Sequence, residues 1–529
     1  MQPPQPRGPH PLTLPEILLH LSTFLNTRTR AVSLRVCREW YQALLPLVWK
    51  EISLFKENEH RLDSETLRKH ADLVDTIHVI GECDNVSDLA SVARLQGLYF
   101  KNITDLDFFD DDISIEHATE FIQQHQSTLK VIFYDTFSTD IELTDDFLDA
   151  LDSCTQLETL KLPTSVCVSR KWNRHRVVRS LWSRLVSLTL FDVDFSHDEP
   201  KDTTQLLKEW VDQEGGPVQV NLKTLRVFAP YESKYHIVPF LILVSTELTD
   251  LIWMGGGDKA WPVAFLADAI RTGTWTPTNL KSLGLTNVHF DLRDISTILG
   301  ATLHLQKLDV HRSKFDVNDW HILRFEYPHY LTQLTTLNVR ECKDMSGQIV
   351  QQMLCEMPNL EVFEGPHIRA QHLLEDSRPW ICSRLRVLTL FFFLDDATGA
   401  EKGSAIVLAQ LAKMTRLQRL TLRLSPCSGL RELLDYQTVT KRENGLELSF
   451  DEGLRSLSTL KLLRYFSGTG DTRLAPWTKA EAEWVVKNWA FLESIATVHL
   501  SQESSDLLSQ YVDMFECTIP VEWHANTIL

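Results

Sequence analysis

Residues 280–285 read Leu-Lys-Ser-Leu-Gly-Leu, 305–310 read Leu-Gln-Lys-Leu-Asp-Val, and 334–339 read Leu-Thr-Thr-Leu-Asn-Val. The shared pattern is Leu-x-x-Leu-x-Leu, with Leu, Val or Trp at its last position. It recurs from Leu157, Leu185, Leu222, Leu248, Leu385 and Leu417, and in weaker copies from Ile103, Leu129, Leu360, Leu457 and Ile495. The second and third apolar positions alternate with other residues, which predicts a short strand burying one face. Helical patterns fall between copies, as in Phe147–Leu151 and Val263–Ile270. Copies lie about 25 to 40 residues apart, enough for a strand, a turn and a helix. A single unit cannot cover its own leucines, so neighbours must stack, and an intervening helix makes their strands parallel. The fold class is therefore α/β.

From about residue 70 to 510 the pattern resembles the leucine-rich-repeat family. The resemblance implies an irregular solenoid, a horseshoe with a parallel sheet on the concave face and helices outside. We assign it to residues 55–510, followed by a C-terminal tail at 511–529. The Asn or Cys that the family places after the strand occurs once, as Cys342; elsewhere that position is Ser165, Gly256, Ser313 or Ser425. Backbone hydrogen bonds at those turns must then be met by other groups. Residues 478–492, with Trp477, Trp484 and Trp489 in or beside them, read as a closing helix over the last repeat.

A different pattern occupies residues 12–54, LTLPEILLHLSTFLNTRTRAVSLRVCREWYQALLPLVWKEISL. Pro15 suits the first turn of a helix, and Ile17, Leu18, Leu21, Phe24 and Leu25 follow at helical spacing. A second short helix is expected around Ala31, Val32 and Leu34. A third runs through Val36, Cys37, Trp40, Leu44 and Leu45 to Pro46. Three short helices cannot bury that much apolar surface alone, so part of it should face a partner or the rest of the chain. Leu14-Pro15, Phe24-Leu25, Val36-Cys37-Arg38-Glu39-Trp40 and Trp49 make the segment similar to an F-box; Arg30 and Arg35 stand where that family more often has leucine. The resemblance implies docking on a Skp-type adaptor and, through it, a cullin. Leu14, Pro15, Ile17, Leu18, Leu21, Val36, Trp40 and Trp49 would form or support the adaptor-facing element.

Together the two resemblances imply a non-catalytic substrate-recognition subunit of a Skp–cullin–F-box ubiquitin ligase, its target held on the repeats. The alternative is a non-ligase interaction scaffold whose N-terminal helices only cap the array. Strand residues between the leucines should face the concave wall and the target. They include Asp105, Asp107 and Asp135, then Phe191, Arg226, Phe228, Ile252 and Met254, then Lys307, His311, Asn338, Arg340, Arg419 and Arg423. The expected target-binding set is Phe191, Arg226, Phe228, Met254, Lys307, His311, Arg340, Arg419 and Arg423. These make an apolar patch followed by a basic strip suited to an acidic or phosphorylated peptide, the alternative being a solvated surface.

Composition narrows the classes further. The net charge of −18 argues against general nucleic-acid or anionic-membrane binding. Nine scattered cysteines, with no Cys-x-x-Cys pair, read as reduced thiols, which places the chain in the cytoplasm or nucleus. Residues 1–11 are Pro-rich and expected to be disordered, without the apolar core of a signal peptide. No apolar run approaches the about 18 residues a membrane span needs. Gly255-Gly256-Gly257-Asp258-Lys259 lacks the spacing of a phosphate loop, and the acidic run at Asp105–Asp112 lacks a calcium-loop pattern. The basic cluster Arg170–Arg179 reads as the solvent face of a repeat helix. No catalytic residue, metal or cofactor is expected.

Overall fold

The computed structural model describes residues 14–25, 27–55, 64–80, 95, 97–109, 114–135, 144–163, 181, 183–191, 220–228, 237–255, 261–289, 291–342, 344–393, 400–422, 446, 448, 450, 453–468, 476–496 and 500–515. The chain forms two compact units, Met1–Glu247 and Leu248–Leu529. Each is an array of strand–helix repeats with its strands in a parallel sheet, so the α/β reading holds.

The first unit opens with three helices, α1 (Pro15–Ser22), α2 (Thr27–Ser33) and α3 (Arg38–Trp49). Its strands are β1 (Glu51–Phe55), β2 (Thr76–Ile80), β3 (Asp105–Phe109), β4 (Val131–Asp135), β5 (Thr159–Pro163), β6 (Ser187–Phe191) and β7 (Thr224–Phe228). Each pairs with the next in chain order, parallel. The register lines up Ile52, Ile77, Leu106, Ile132, Leu160, Leu188 and Leu225 in one row, and all are buried. Helices cover this face: Phe108 meets Phe121 of the helix Ile115–His125 at 6.3 Å between ring centroids, and Tyr134 meets Phe147 of the helix Asp145–Ser153 at 5.4 Å. Ser114 and Thr144 cap those two helices through their hydroxyls.

The second unit repeats the plan. Its strands are β8 (Asp250–Met254), β9 (Ser282–Thr286), β10 (Lys307–Asp309), β11 (Thr336–Asn338), β12 (Val362–Arg369), β13 (Val387–Phe393), β14 (Arg419–Leu422), β15 (Tyr465–Ser467), β16 (Ser494–Ala496) and β17 (Asp513–Phe515). They too pair in order and in parallel. Leu251, Leu283, Leu308, Leu337, Phe363, Leu388, Leu420, Phe466 and Ile495 form the matching buried row.

One contact recurs where most of the described strands begin. The carbonyl of Lys50 accepts from both Asp75 N at 2.8 Å and Thr76 N at 3.0 Å. Asp75, Thr104, Lys130, Glu158 and Val186 do the same for the next repeat, as do Thr249, Lys281, Gln306, Thr335, Glu361, Arg386, Gln418 and Arg464 in the second unit. Several of the described repeats add a side-chain amide just ahead of the strand. Asn102, Gln156, Asn221, Gln333 and Asn359 donate to the carbonyls of Asp72, Ser127, Ser183, Leu303 and Thr332 of the preceding repeat, at 2.6, 3.0, 2.8, 2.9 and 2.7 Å. After the strand, Cys342 Sγ donates to Val310 O at 3.1 Å, and Ser313 Oγ takes the equivalent role toward Leu285 O at 2.7 Å. Ser165, Gly256 and Ser425 lie outside the described residues.

The structure corrects several boundaries. The array begins inside the segment assigned to the three helices, since β1 is Glu51–Phe55, and it runs past residue 510 to β17. Helix α3 continues through Pro46 to Trp49 on an exposed side rather than stopping there. The copy starting at Leu457 is not a strand. Leu454, Leu457 and Leu460 recur every third residue, and residues Leu454–Thr459 form a 3-10 helix entered through Gly453 at φ 102°. The strand follows later as β15, with Phe466 at its centre. The copy at Ile495 is offset likewise, with Ile495 at the centre of β16 rather than at the leading position. The helix Lys479–Asn488 closes nothing, because β16, a further helix (Gln502–Leu508) and β17 follow it. Residues 1–11 and Arg170–Arg179 lie outside the described residues.

Truncating Asn102 or Asn359 to Ala should each cost about 1 kcal/mol, the usual net value of one such hydrogen bond. Leu308→Ala should cost about 2–5 kcal/mol because it opens a cavity in the stacked row. Urea denaturation of the three variants against wild type measures both.

Candidate protein-interaction surfaces

The N-terminal helices leave apolar side chains in water. Among α1–α3 Leu18 and Leu44 are 1% exposed and form the small core. Phe24 is 74% exposed, Val32 63%, Val36 63%, Leu19 47% and Tyr41 42%. Of the residues expected at the adaptor, Pro15 and Val36 are exposed, whereas Leu14, Ile17, Leu21, Trp40 and Trp49 are half-buried. The Trp49 ring stacks on His70 at 4.5 Å, so it faces the repeats. Phe24, Val32, Leu19 and Tyr41 are exposed apolar residues outside the expected adaptor-facing set; helical periodicity alone does not say which stripe is covered. Arg30 donates through Nε to Ser22 O at 3.0 Å and ties α2 to the last turn of α1.

On the sheet, the face opposite the helices alternates with the buried rows, as the half-buried, buried pattern of β7 and β8 shows. In the first unit Arg226 and Phe228 lie on that face, and in the second Met254, Lys307 and Arg419 do, all half-buried, with His311 and Arg340 just past β10 and β11. Phe191 ends β6, its side chain outside the described set, and Arg423 lies outside the described residues altogether. These positions do not join into a basic strip. Lys307 and Arg419 share a register row but are separated by Thr336, Val362 and Val387. His311 Nδ1 lies 2.8 Å from Asp309 Oδ1, Arg312 Nε donates to Glu341 at 2.7 Å, and Arg340 sits 3.5 Å from Glu341 and 3.9 Å from Glu364. Burial opposes the charge on Glu341, but the Arg312 hydrogen bond and the cations around it hold its carboxyl below the ordinary range. Asn287, Arg312 and Glu341 occupy the same turn in successive repeats with φ of 54°, 58° and 61°. The β10–β12 surface is thus a charge-compensated network, with carboxylates supplied from the same repeat and from the next one.

The open face of the first unit is ordered differently. One register row reads Ser53, His78, Asp107, Phe133, Lys161, Thr189 and Arg226. Glu51 and Asp105 stand in the row beside it. His78 lies between two carboxylates, with Nδ1 3.1 Å from Asp107 Oδ2 and Nε2 3.3 Å from Glu51 Oε1. Lys161 Nζ sits 3.7 Å over the Phe133 ring. The hydrogen bond to Asp107 raises the His78 value above 6.5, against burial, and Glu51 adds to it.

Among the described residues no group of three or more His, Cys, Asp or Glu is placed to hold a metal ion, and no helix is long and apolar enough to cross a membrane. Burial pushes the thiols of Cys154 and Cys382 up to about 12 and that of Cys355 to about 11, which leaves them poor nucleophiles.

No protein-family model matches the chain, and no curated protein matches it. Among solved structures it is similar to the yeast complex of Rad7 and Elc1, at 13% identity and TM-score 0.37, over 74% of this chain and 86% of that one. It is also similar to the mouse RP105/MD-1 complex, at 10% identity and TM-score 0.35, over 90% of this chain and 77% of that one. At this level neither likeness carries an argument about partners.

A folded-state His78 value above the unfolded one means that its ion pairs contribute fully below about pH 6.5 and fade as pH rises through the raised value. Wild type should therefore exceed His78→Gln in stability at pH 5.5, by under about 1 kcal/mol because the groups are partly solvated, and by less at pH 8.5. Chemical denaturation at the two pH values checks the sign.

Proposed function

We propose that this chain is the substrate-recognition subunit of a Skp–cullin–F-box ubiquitin ligase, a non-catalytic adaptor acting in the cytoplasm or nucleus. The observation that carries the reading is the apolar surface on α1–α3. Phe24, Val32 and Val36 each lie more than half exposed on a segment with the Leu-Pro, Phe-Leu and Val-Cys-Arg-x-Trp sequence of an F-box. Isolated exposed apolar side chains are ordinary, but several on one small helical segment mark a place where another protein sits. A Skp-type adaptor would cover them and bring a cullin. The repeat array would hold the target, and the contribution of the chain would be a raised local concentration of target lysines near the charged enzyme.

A second reading, a scaffold whose helices only cap the array, has its own support. Helix α3 passes directly into β1, Lys50 O receives the first N–H groups of β2, and Trp49 packs on His70. Deleting residues 12–49 separates the two. A truncated chain that stays folded and loses the adaptor favours the ligase, and one that unfolds favours the cap.

The double variant Phe24→Asp plus Val36→Asp should retain wild-type thermal stability within about 0.5 kcal/mol, since both sites are exposed, while adaptor capture falls at least tenfold. Pull-down with a purified Skp-type adaptor measures it. Undiminished capture by the folded variant removes the proposal.

A further inference from the structure

The open face of β1–β7 is graded in charge, and the grading has a length. At the β1–β3 end stand Glu51, Asp105 and Asp107 around His78; at the middle is the Phe133 ring; at the β5–β7 end are Lys161 and Arg226. All but Glu51 are partly buried rather than freely solvated. A neutral imidazole carries one N–H, so His78 can donate to both flanking carboxylates only when protonated. When His78 is neutral, one of those two acceptors is open to another cation. At the opposite end, Arg226 Nε is buried with no hydrogen-bond partner among the described residues. A buried guanidinium N–H without an acceptor is costly and is met when an anion is brought to it.

We propose that this face takes an extended, charge-polarised peptide segment, a cationic residue at Asp107 and Glu51 and anionic residues at Lys161 and Arg226. This deepens the target-receptor reading and rests on it for the identity of the peptide as part of a ubiquitylation target. Neighbouring strands lie about 4.8 Å apart and an extended chain advances about 3.3 Å per residue. From Asp107 on β3, Lys161 is two strands away and Arg226 four, about 10 and 19 Å. The segment therefore carries Lys or Arg at one position, an apolar residue next to it over Phe133, and Asp or Glu about three and six residues further along, in one chain direction or the other. Such a partner differs from a uniformly acidic or phosphorylated peptide, which Asp105 and Asp107 would repel.

Two labelled peptides with this spacing, one the retro-sequence of the other, test it on the full chain by fluorescence anisotropy. The control is a peptide of the same composition with the lysine between the two glutamates. One of the first pair should bind at least tenfold tighter than the control, weaken with added salt, and lose at least fivefold on Asp107→Asn and on Lys161→Ala. Equal binding of polarised and control peptides, or binding unchanged in both folded variants, overturns the inference. Adaptor capture by the same preparations keeps the two proposals apart. Intact capture without peptide discrimination removes this inference alone, whereas lost capture with discrimination retained removes the ligase and leaves the graded surface.

Discussion

The structure depends on a carbonyl that accepts twice. Ahead of nearly every described strand, one backbone oxygen, such as that of Lys50 or Gln306, receives two consecutive N–H groups from the following repeat. The contact sets both spacing and register, because a shift of one residue would leave a donor unpaired and turn the leucine row outward. Helix lengths and loop lengths vary between repeats, and the contact does not. Each repeat is consequently defined by its neighbour, which is why stacking and not any single unit buries the apolar rows.

How much of this is legible in the sequence depends on residue type. Leu280, Leu283 and Leu285 announce a strand because leucine stands at all three positions. The first two strands use Trp49, Ile52, Leu54 and Val74, Ile77, Val79 at the same spacing, and without the leading leucine the pattern does not single them out. Leu454, Leu457 and Leu460 mislead for the converse reason, since a three-residue interval suits a helical turn as well as the repeat. The amides of Asn102 and Asn359 are invisible because their partners are carbonyls in another repeat, which no local pattern reveals.

The surfaces are legible only in outline. The N-terminal segment announces an apolar excess, but Leu18 and Phe24, both on the expected stripe, end at opposite extremes of exposure. Arg340 and His311 read as an open basic strip along the strands, yet Glu341, Glu364 and Asp309 lie beside them, from the same turn, the next strand and the same repeat respectively. Charge at a given position says little until the register is known, and the register assembles the rows in which the two units differ.

The turns after β9, β10 and β11 carry a further consequence. Asn287, Arg312 and Glu341 sit in a left-handed conformation that costs a side-chain-bearing residue about 1–2 kcal/mol more than glycine. Glycine at 341 would ease the backbone and, in the same change, delete the carboxylate that two guanidinium groups share. The chain thus fixes its ionic pattern to joints with few alternative poses, and any partner meeting that stretch encounters a rigid mosaic of charge instead of side chains able to regroup around it.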